Sequence, residues 1–521
     1  MSSRIVDSSA VVTAAAVELD GCGLTVADVV RLADGVAWPV PQEAAMKRAT
    51  RSWDAARQIA ATGRVYGRST GVGANRNEDV PTEAAAGHGL RLLRSHAGAI
   101  GEEVPARQVR AMLAVRANQL LAGGAGLRPS VVTALCEALE SGAHPVVNEF
   151  GSVGTGDLTA LAQVGLALAG EHPWRGPDGT VRPGGPGVNG PGGSVTGVPE
   201  PQPLDNNDAL ALISSNALTL GQAALALHEL RGLIAATQVV AALSLLAVDG
   251  SHEAYAAPVH EARPHRGSTE VARRMRQLIG AADRPAPPLG RIQDPYGFRC
   301  LPQIHGPAHD AADALEAVLA VEINAAAENP LISPDDLAAY HHGGFYQAQL
   351  ALALDHFRLA VTQVARLSTS RLSTLNEPAY TRLKPFLADH EPASSGVMIL
   401  EYAAAAALGD LRAFSAPASL GHAVLSRGVE EQASFASLAA RQTLRACGAY
   451  RLVVGCELVA AVRALRQRDL KPEPGLPAAR ALELAEAVLD EDQADRPLTD
   501  DVTAAAALLD RFTDIWRGNG A

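Results

Sequence analysis

Residues 233–248 read Leu-Ile-Ala-Ala-Thr-Gln-Val-Val-Ala-Ala-Leu-Ser-Leu-Leu-Ala-Val and form the most apolar run of the chain. They end a helical pattern over residues 207–249, which at 1.5 Å per residue predicts a helix of about 65 Å. A helix this long and apolar needs partners on several sides, which indicates a bundle shared between subunits. The run includes Thr237, Gln238 and Ser244 and has only 16 residues. Because a membrane span needs roughly 20 apolar residues, we expect a buried helix.

The composition of the 521 residues is typical of a globular, largely helical protein. Hydrophobic residues make up 47% and charged residues 19% of the chain, which is ample for a large core. Alanine, the best helix former, dominates the apolar residues, so an all-α fold is expected. The net charge of −12 argues against a nucleic-acid or anionic-membrane partner. Further helices are predicted at residues 105–122, 130–142, 267–281, 310–328, 346–375, 396–413, 429–466, 478–491 and 499–516.

The chain is expected to divide into three consecutive parts. These are an N-terminal domain over residues 1–205, a central long-helix bundle over residues 206–470, and C-terminal helices over residues 471–521. The five cysteines show no paired spacing, which is typical of free thiols in a reducing compartment. No basic region followed by an apolar core opens the sequence, so no signal peptide is predicted. We therefore expect a cytoplasmic protein.

A glycine-rich octapeptide, Gly-Ser-Val-Gly-Thr-Gly-Asp-Leu at residues 151–158, is the most specific motif of the chain. With the other blocks it resembles the signature of the aromatic amino acid lyases, the histidine, phenylalanine and tyrosine ammonia-lyases. The blocks stand in family order from about residue 60 to 440, so the resemblance covers most of the chain. The other blocks are Tyr66-Gly67 with Thr70-Gly71, Ser95-His96-Ala97, His144-Pro145-Val146-Val147, residues 293–306, Asn329-Pro330-Leu331-Ile332 and Pro417-Ala418-Ser419.

The resemblance implies a fold, an assembly and an activity. The fold is a long-helix bundle of the ammonia-lyase and fumarase type. The assembly is a homotetramer with a central helical bundle and active sites built from three subunits. The activity is that of a carbon–nitrogen lyase or aminomutase acting on a histidine-like or aromatic amino acid, and the ligand is a small amino acid or another carboxylate.

The octapeptide departs from the family pattern, which is Gly-Ser-Val-Gly-Ala-Ser-Gly-Asp-Leu. In the family, the Ala-Ser-Gly triplet cyclises into a methylidene-imidazolone ring, the electrophile of the reaction. This chain is one residue short there, and the ring could only form from Gly154, Thr155 and Gly156. Dehydration of a threonine would leave an extra methyl on the exocyclic carbon, where it crowds the atom that the amine must reach. We therefore predict that residues 154–156 remain an ordinary peptide, with no other cofactor.

Two further blocks supply the residues that the resemblance assigns to chemistry. Tyr66 resembles the catalytic base, and its phenol, with an ordinary pKa near 10, must be shifted by the site to act at neutral pH. Arg299 resembles the arginine that clamps the substrate carboxylate, which suits a planar guanidinium. Tyr296 is implied to lie beside the electrophile and shares a face with Arg299 if the stretch is helical. Gln293 and Gln303 resemble hydrogen-bonding pocket residues.

The remaining candidate residues belong to altered walls of the pocket. His96 and Glu430 are implied to hold the side-chain end of the substrate, a combination closest to the histidine-specific branch. Where the family has Asn-Gly-Thr, this chain has Ser214-Ser215-Asn216. Asn216 is a candidate to replace the lost amide from two residues away, and Ser214 and Asn216 are both candidate substrate-binding residues. Tyr346 falls within the altered form of the family's Gly-Gly-Asn-Phe-His block. No histidine group has the spacing of a metal site, and no metal is predicted.

Each assignment has a structural alternative. Tyr66 could be a turn tyrosine, Arg299 an ion-pair partner, His96 a core histidine and Glu430 a solvated helix carboxylate. For the whole protein, the enzyme stands against a non-catalytic member that keeps the fold and binds a ligand or partner. A ring-independent lyase or isomerase that uses Tyr66 is the third possibility. Retention of Tyr66, Tyr296 and Arg299 favours an enzyme, whereas the short triplet favours the other two.

Overall fold

The computed structural model describes residues 15–182, 197–287 and 290–518. These residues are mostly helical with a few short strands, which confirms the all-α prediction. In chain order the helices are α1 Val26–Ala33, α2 Glu43–Thr62, α3 Thr82–His96, α4 Ala106–Leu121, α5 Ser130–Ser141, α6 Leu158–Leu168, α7 Ala209–Ile213, α8 Ala217–Ala247, α9 Ala257–Glu261, α10 Arg266–Ile279, α11 Tyr296–Arg299, α12 Leu301–Glu322, α13 Ala348–Leu375, α14 Pro378–Thr381, α15 Ile399–Phe414, α16 Ala436–Arg468, α17 Pro477–Glu486 and α18 Thr499–Arg517.

The described strands are short and form four small sheets. β1 pairs with β2 in parallel, β3 with β5 and β8 with β9 antiparallel, and β4, β6 and β7 form an antiparallel sheet of three strands. The strands are β1 Ala15–Leu19, β2 Ala37–Pro41, β3 Ile100–Glu103, β4 His144–Pro145, β5 Asn148–Phe150, β6 Trp174–Arg175, β7 Val181–Arg182, β8 Leu331–Ser333 and β9 Ala338–Tyr340.

The chain forms two compact units, each assembled from separate segments. The first unit contains Met1–Leu225, Val318–Ala348 and Ser419–Leu438, and the second contains Ala226–Ala317, Gln349–Ala418 and Ala439–Ala521. Neither unit is a consecutive stretch of chain, so this division does not follow the three consecutive parts expected from the sequence. All described strands belong to the first unit.

Within the first unit, α4 is the central helix. It packs against α1, α2 and α5, and its residues from Val109 to Leu121 are all buried. A second cluster consists of α3, α6 and α7, which pack against one another. In this cluster α3 ends at His96, α6 begins just after Asp157, and α7 ends just before Ser214. Three groups of candidate residues are therefore brought to the ends of three packed helices.

The second unit is built from helices and contains a buried ion pair. Arg371 on α13 donates two hydrogen bonds to the Glu457 carboxylate on α16, at 2.6 and 2.8 Å, and both side chains are fully buried. Ser244 also donates to Glu457 at 2.8 Å. Because a buried charge is costly unless paired and hydrogen-bonded, these contacts fix α8, α13 and α16 relative to one another inside this unit.

The prediction of a long apolar helix is confirmed as helix but is wrong in expecting one continuous helix. The predicted helix over residues 207–249 is broken at Ser214–Asn216, which separates α7 from α8. The guanidinium of Arg116 accounts for the break, because it donates to the Ala211 and Leu212 carbonyls. In an unbroken helix those carbonyls would accept from residues 215 and 216. Serine and asparagine also favour helix ends over interiors.

The apolar run itself is buried, as predicted. Among the described residues, Ala209–Ala247 is the one stretch with the length and hydropathy of a membrane-crossing helix, yet 83% of its most apolar window is buried inside the protein. That burial is the property of a core helix. Other predicted helices are shifted at their ends: α12 begins at Leu301 instead of 310, and α16 begins at Ala436 instead of 429.

Candidate active site

A cavity of about 630 Å³ lies in the first unit, where the ends of α3, α6 and α7 meet. This volume is in the usual range of small-molecule sites. Six of the residues singled out from the sequence line it: Tyr66, His96, Thr155, Gly156, Ser214 and Glu430. They come from five separate parts of the chain, so the fold brings together residues that the motifs alone could only list.

Tyr66 lies in the loop between α2 and α3, and its hydroxyl oxygen accepts a hydrogen bond of 2.7 Å from the Gly73 amide. Burial raises the pKa of the Tyr66 phenol, the Glu430 carboxylate raises it further, and the hydrogen bond from Gly73 opposes these effects. A phenol shifted in this direction is protonated at neutral pH. The Arg76 guanidinium, which also lines the cavity, lowers this pKa, and further positive charge beside the ring would lower it again.

The Tyr66 loop is held against the loop that carries Glu430. Ser426 accepts a hydrogen bond from the Ala74 amide at 2.9 Å. A Cβ on Gly73 would come within 2.5 Å of the Ser426 hydroxyl, so this close approach requires glycine. Glu430 is held by backbone hydrogen bonds in both directions with Leu425. The base candidate and the carboxylate are therefore positioned by two loops in direct contact.

His96 is the last residue of α3, and its Nδ1 is 2.9 Å from the Leu92 carbonyl oxygen. A carbonyl can only accept, so Nδ1 carries the proton in this contact, and Nε2 of the neutral imidazole is an acceptor. The side chain is half-buried and lines the cavity. His96 can therefore accept a hydrogen bond from a substrate N–H.

The glycine-rich octapeptide enters the cavity through Thr155 and Gly156. Gly154 has a φ of +87°, and a Cβ there would lie 2.2 Å from the Ser434 hydroxyl. Ser434 donates a hydrogen bond of 2.8 Å to the Gly154 carbonyl. Asp157 is fully buried and accepts from the Thr219 amide and hydroxyl at 2.8 and 2.9 Å. Hydrogen bonds therefore hold the turn at both ends.

The break between α7 and α8 forms another wall. The Ser214 hydroxyl accepts a hydrogen bond from the backbone N–H of Asn329 at 3.0 Å, and the Ser215 hydroxyl donates to the Gln119 side chain at 2.7 Å. The side-chain amide of Asn216 donates to the Phe345 carbonyl at 2.8 Å. Its Oδ1 has no hydrogen-bond partner among the described residues. Ser214 lines the cavity, whereas Asn216 is not among the lining residues and instead holds the Phe345 backbone by its hydrogen bond.

The lining residues that the sequence did not single out include two with aromatic rings, His341 and Phe345. The rings of His341 and Tyr66 meet edge to face, with centroids 6.3 Å apart and an interplanar angle of 88°. The nearest signal in the sequence is the pair His341-His342 directly before two glycines, in a block that departs from the family pattern. Tyr346, the residue predicted there, is 37% exposed and is not among the lining residues.

The second unit carries the other four predicted residues. Tyr296 and Arg299 are the ends of α11, and the Arg299 guanidinium lies 4.9 Å from the centre of the Tyr296 ring. Arg299 also donates to the Asp294 carbonyl at 2.8 Å. Tyr296 is 68% exposed, Gln293 is exposed and Gln303 is half-buried. The expected shared helical face of Tyr296 and Arg299 is confirmed.

The sequence and the fold have known counterparts. A family model described as aromatic amino acid lyase matches residues 24–487. The chain belongs to the aromatic amino acid lyase family. The chain is 35% identical over 451 residues to a histidine ammonia-lyase from Geobacillus kaustophilus (strain HTA426), a match that covers 85% of this chain and 87% of the relative.

Two solved structures share the fold of this lyase over nearly its whole length. One is the ergothioneine-degrading enzyme ergothionase from Treponema denticola, with a TM-score of 0.88, 25% identity, and coverage of 96% of this chain and 99% of that one. The other is a tyrosine aminomutase from Streptomyces globisporus, with a TM-score of 0.88, 26% identity, and coverage of 96% and 98%. The protein is a carbon–nitrogen lyase or aminomutase-like enzyme.

Proposed function

We propose that this enzyme eliminates an amine from a histidine-like amino acid without an electrophilic ring, with Tyr66 as the base. The observation that carries the proposal is the single cavity lined by Tyr66, His96, Thr155 and Glu430. It joins a base candidate, an imidazole, a hydroxyl and a carboxylate, which is enough to orient a substrate and to move a proton.

The residues at 154–156 do not fit a methylidene-imidazolone. The family triplet contributes an alanine and a serine, and this turn has one residue fewer, with Thr155 in the middle. The turn is packed for glycine at position 154, because the family's alanine there would displace the Ser434 hydroxyl, which lies 2.2 Å from a Cβ built on Gly154. A ring made from Thr155 would carry a methyl at the carbon that must accept the amine. The proposed reaction therefore uses the turn as ordinary peptide.

A histidine-like substrate suits the polar end of the cavity. The Nε2 atom of His96 can accept a hydrogen bond, and the Glu430 carboxylate can accept another or pair with a cationic ring. An imidazole offers one N–H when neutral and two when protonated. The similarity to a histidine ammonia-lyase supports the same class.

The proton transfer requires a change at Tyr66. Its pKa is raised by burial and by Glu430, so in the empty cavity the phenol keeps its proton. A cation bound beside the ring favours the phenolate and lowers this pKa. The phenolate then takes the β-proton, the C–H electron pair forms the double bond, and the amine leaves with the electrons of the C–N bond.

Residues of the second unit complete the site in an assembly. We propose a homotetramer in the cytoplasm, in which a neighbouring chain brings Arg299 to the substrate carboxylate, with Tyr296, Gln293 and Gln303 beside it. The exposed position of Tyr296 and the nearby Ile292, 68% and 91% exposed, supports a role for this segment in contact with another chain. A monomer at micromolar concentration in solution would contradict the assembly.

The elimination is tested with L-histidine and its N-methylated and 2-thio derivatives as substrates. Ultraviolet absorbance follows the product, in which the new carbon–carbon double bond is conjugated to the carboxylate and the imidazole. We expect turnover of at least one of them by the wild type. Tyr66→Phe should lower kcat by about 10²- to 10⁴-fold. Tyr340→Phe makes the same change at an exposed tyrosine outside the cavity lining and should keep wild-type turnover. Absence of elimination from all these compounds, or full activity of Tyr66→Phe, would overturn the proposal.

A further inference from the structure

Asp294 is a buried acid in the segment of the second unit that carries Tyr296 and Arg299. Ile292 and Gln293 directly before it are exposed, whereas Asp294 is 6% exposed. Its neighbours in the segment are candidate substrate-binding residues, but its own side chain is inside the unit. Because a buried carboxylate is costly unless it is paired and hydrogen-bonded, its contacts indicate what it holds in place.

Both oxygens of the Asp294 carboxylate accept hydrogen bonds. Oδ2 accepts from the Ser251 backbone N–H, in the turn that follows α8. Oδ1 accepts from Nε and Nη2 of Arg291, at 3.2 and 2.8 Å. The same Arg291 nitrogen Nη2 donates to the Val248 carbonyl at 2.6 Å, and the guanidinium lies 5.5 Å from the centre of the Tyr380 ring. Asp294 therefore ties the turn before α11 to the end of α8, directly and through Arg291.

The backbone of the same residue sets the orientation of Arg299. Nε of Arg299 donates to the Asp294 carbonyl at 2.8 Å, and the guanidinium lies 4.9 Å from the centre of the Tyr296 ring. A guanidinium has five N–H groups, and among the described residues Arg299 makes only this one hydrogen bond. These two contacts fix the plane of the guanidinium, while its two terminal nitrogens stay available for a carboxylate.

We propose that Asp294 is a positioning residue for carboxylate binding by Arg299. Its side chain fixes the turn before α11, and its carbonyl then holds the guanidinium in the orientation that pairs with the substrate carboxylate. This inference rests on the proposed function, in which Arg299 binds that carboxylate. Bidentate pairing depends on the orientation of both terminal nitrogens, and a displacement of about 1 Å at a positioning group can cost about a hundredfold. A support that the fold itself fixes keeps the guanidinium preorganised.

Asp294→Asn removes the anchor without changing the size of the side chain. An amide has one oxygen and one NH2 group, so its NH2 group must face either the Ser251 N–H or Arg291, donor against donor. The turn before α11 should then shift. Helix α11 itself should stay docked, because the Tyr255 hydroxyl donates to the Phe298 carbonyl at 3.0 Å and both side chains are buried. The variant should therefore fold and bind carboxylates less tightly.

The test is calorimetry on the full-length assembly with L-histidine and with histamine, which is L-histidine without the carboxylate. Asp294→Asn should weaken binding of L-histidine about tenfold or more, the value of one charge-assisted hydrogen bond, and leave binding of histamine within about twofold. Arg291→Gln removes the other half of the pair at a partly exposed side chain and should act in the same direction, also if Asp294→Asn does not fold. The control is Asp283→Asn, which removes an exposed carboxylate paired with Arg276 and should leave both affinities unchanged.

Combining Asp294→Asn with Arg299→Ala separates this inference from the proposed function. If Asp294 acts through Arg299, Asp294→Asn should cost no further affinity for L-histidine once Arg299 is replaced. Equal losses for L-histidine and histamine, or full additivity of the two changes, would make Asp294 a structural residue and overturn the inference. An effect of Arg299→Ala without one of Asp294→Asn or Arg291→Gln also overturns it, while the proposed function stands. A wild type that binds L-histidine no more tightly than histamine, or an Arg299→Ala variant that binds it equally well, counts against carboxylate binding in the proposed function and overturns the inference with it.

Discussion

Replacing Arg116 tests whether a buried ion pair holds the wall of the cavity in place. Arg116 is 1% exposed and donates to the Glu328 carboxylate at 2.7 Å and to the carbonyls of Ala211 and Leu212. In Arg116→Met the Glu328 carboxylate stays buried without its charged partner, and its second oxygen already has none among the described residues. Breaking such a pair from one side costs about 3–5 kcal/mol.

The loss should appear first where the guanidinium acts, at α7 and the break that follows it. A chain of two units is not expected to unfold in one step, so local hydrogen exchange is the suitable assay. A cost of about 3–5 kcal/mol raises the opening constant by roughly two to more than three orders of magnitude. Mass spectrometry of a peptide covering residues 209–216 should therefore show exchange faster by that factor.

Two further variants make this prediction specific. Arg116→Met combined with Glu328→Gln removes both charges and should recover at least half of the lost protection, because replacing a whole buried pair is far less costly than breaking it. Arg110→Met is the matched control, since Arg110 lies on the same helix but donates to the carbonyls of Leu32 and Ala33. Exchange in Arg116→Met within about threefold of wild type would refute the supporting role of the pair.

Three other results are expected. Glu430→Gln removes a negative charge that raises the pKa of Tyr66. The phenolate absorbance of Tyr66, identified as the part of the titration that is missing in Tyr66→Phe, should therefore appear at lower pH in Glu430→Gln. An unchanged titration would contradict the proximity of Glu430 to Tyr66. Burial lowers the pKa of His144 and His309 from 6.5 to about 4. Between these two pH values the unfolded chain binds more protons than the folded one, so the melting temperature should fall as the pH drops from 6.5 to 4. A melting temperature that does not change with pH would speak against neutral buried imidazoles. Arg299→Lys should weaken binding of a carboxylate ligand about tenfold to over a hundredfold by calorimetry, and equal affinity would make Arg299 a structural residue only.

The long apolar elements of the fold could be predicted from the sequence, while helices without an apolar stripe could not. Helices α8, α13 and α16 follow clear patterns that the structure confirms apart from their ends. Helix α2 was missed because its buried face consists of Ala45, Ala49, Ser52, Ala55 and Ala56. Alanine and serine leave a weak pattern of hydrophobicity even where they pack against a core.

The break at Ser214–Asn216 could not be predicted because its cause is distant in sequence. Arg116 lies about a hundred residues earlier, and nothing near residue 211 signals that its carbonyl is taken by a guanidinium. Local propensity favours a continuous helix across these residues except for the two serines and the asparagine. Tertiary contact therefore overrode the local pattern, and it did so at the wall of the cavity.

The motifs predict lining residues of the cavity only where the position of the backbone decides which residues face it. Tyr66, His96, Thr155 and Glu430, all taken from the motifs, line one cavity. The choice between Phe345 and Tyr346 was not accessible, since it depends on which of two consecutive side chains faces inward after an irregular turn. His341 was missed for the same reason, because its neighbour His342 has the same sequence context but serves to fix the backbone.

The ring-free reaction requires that residues 154–156 remain an ordinary peptide, and the mass of the peptide that contains them tests this requirement most directly. Purified protein is digested and the segment around Thr155 is measured by mass spectrometry, beside a sample that has just turned over substrate. We expect the unmodified mass of Gly154-Thr155-Gly156 in an enzyme that is active. A mass lower by two water molecules, located to these three residues, would show that the ring forms and would contradict the ring-free reaction.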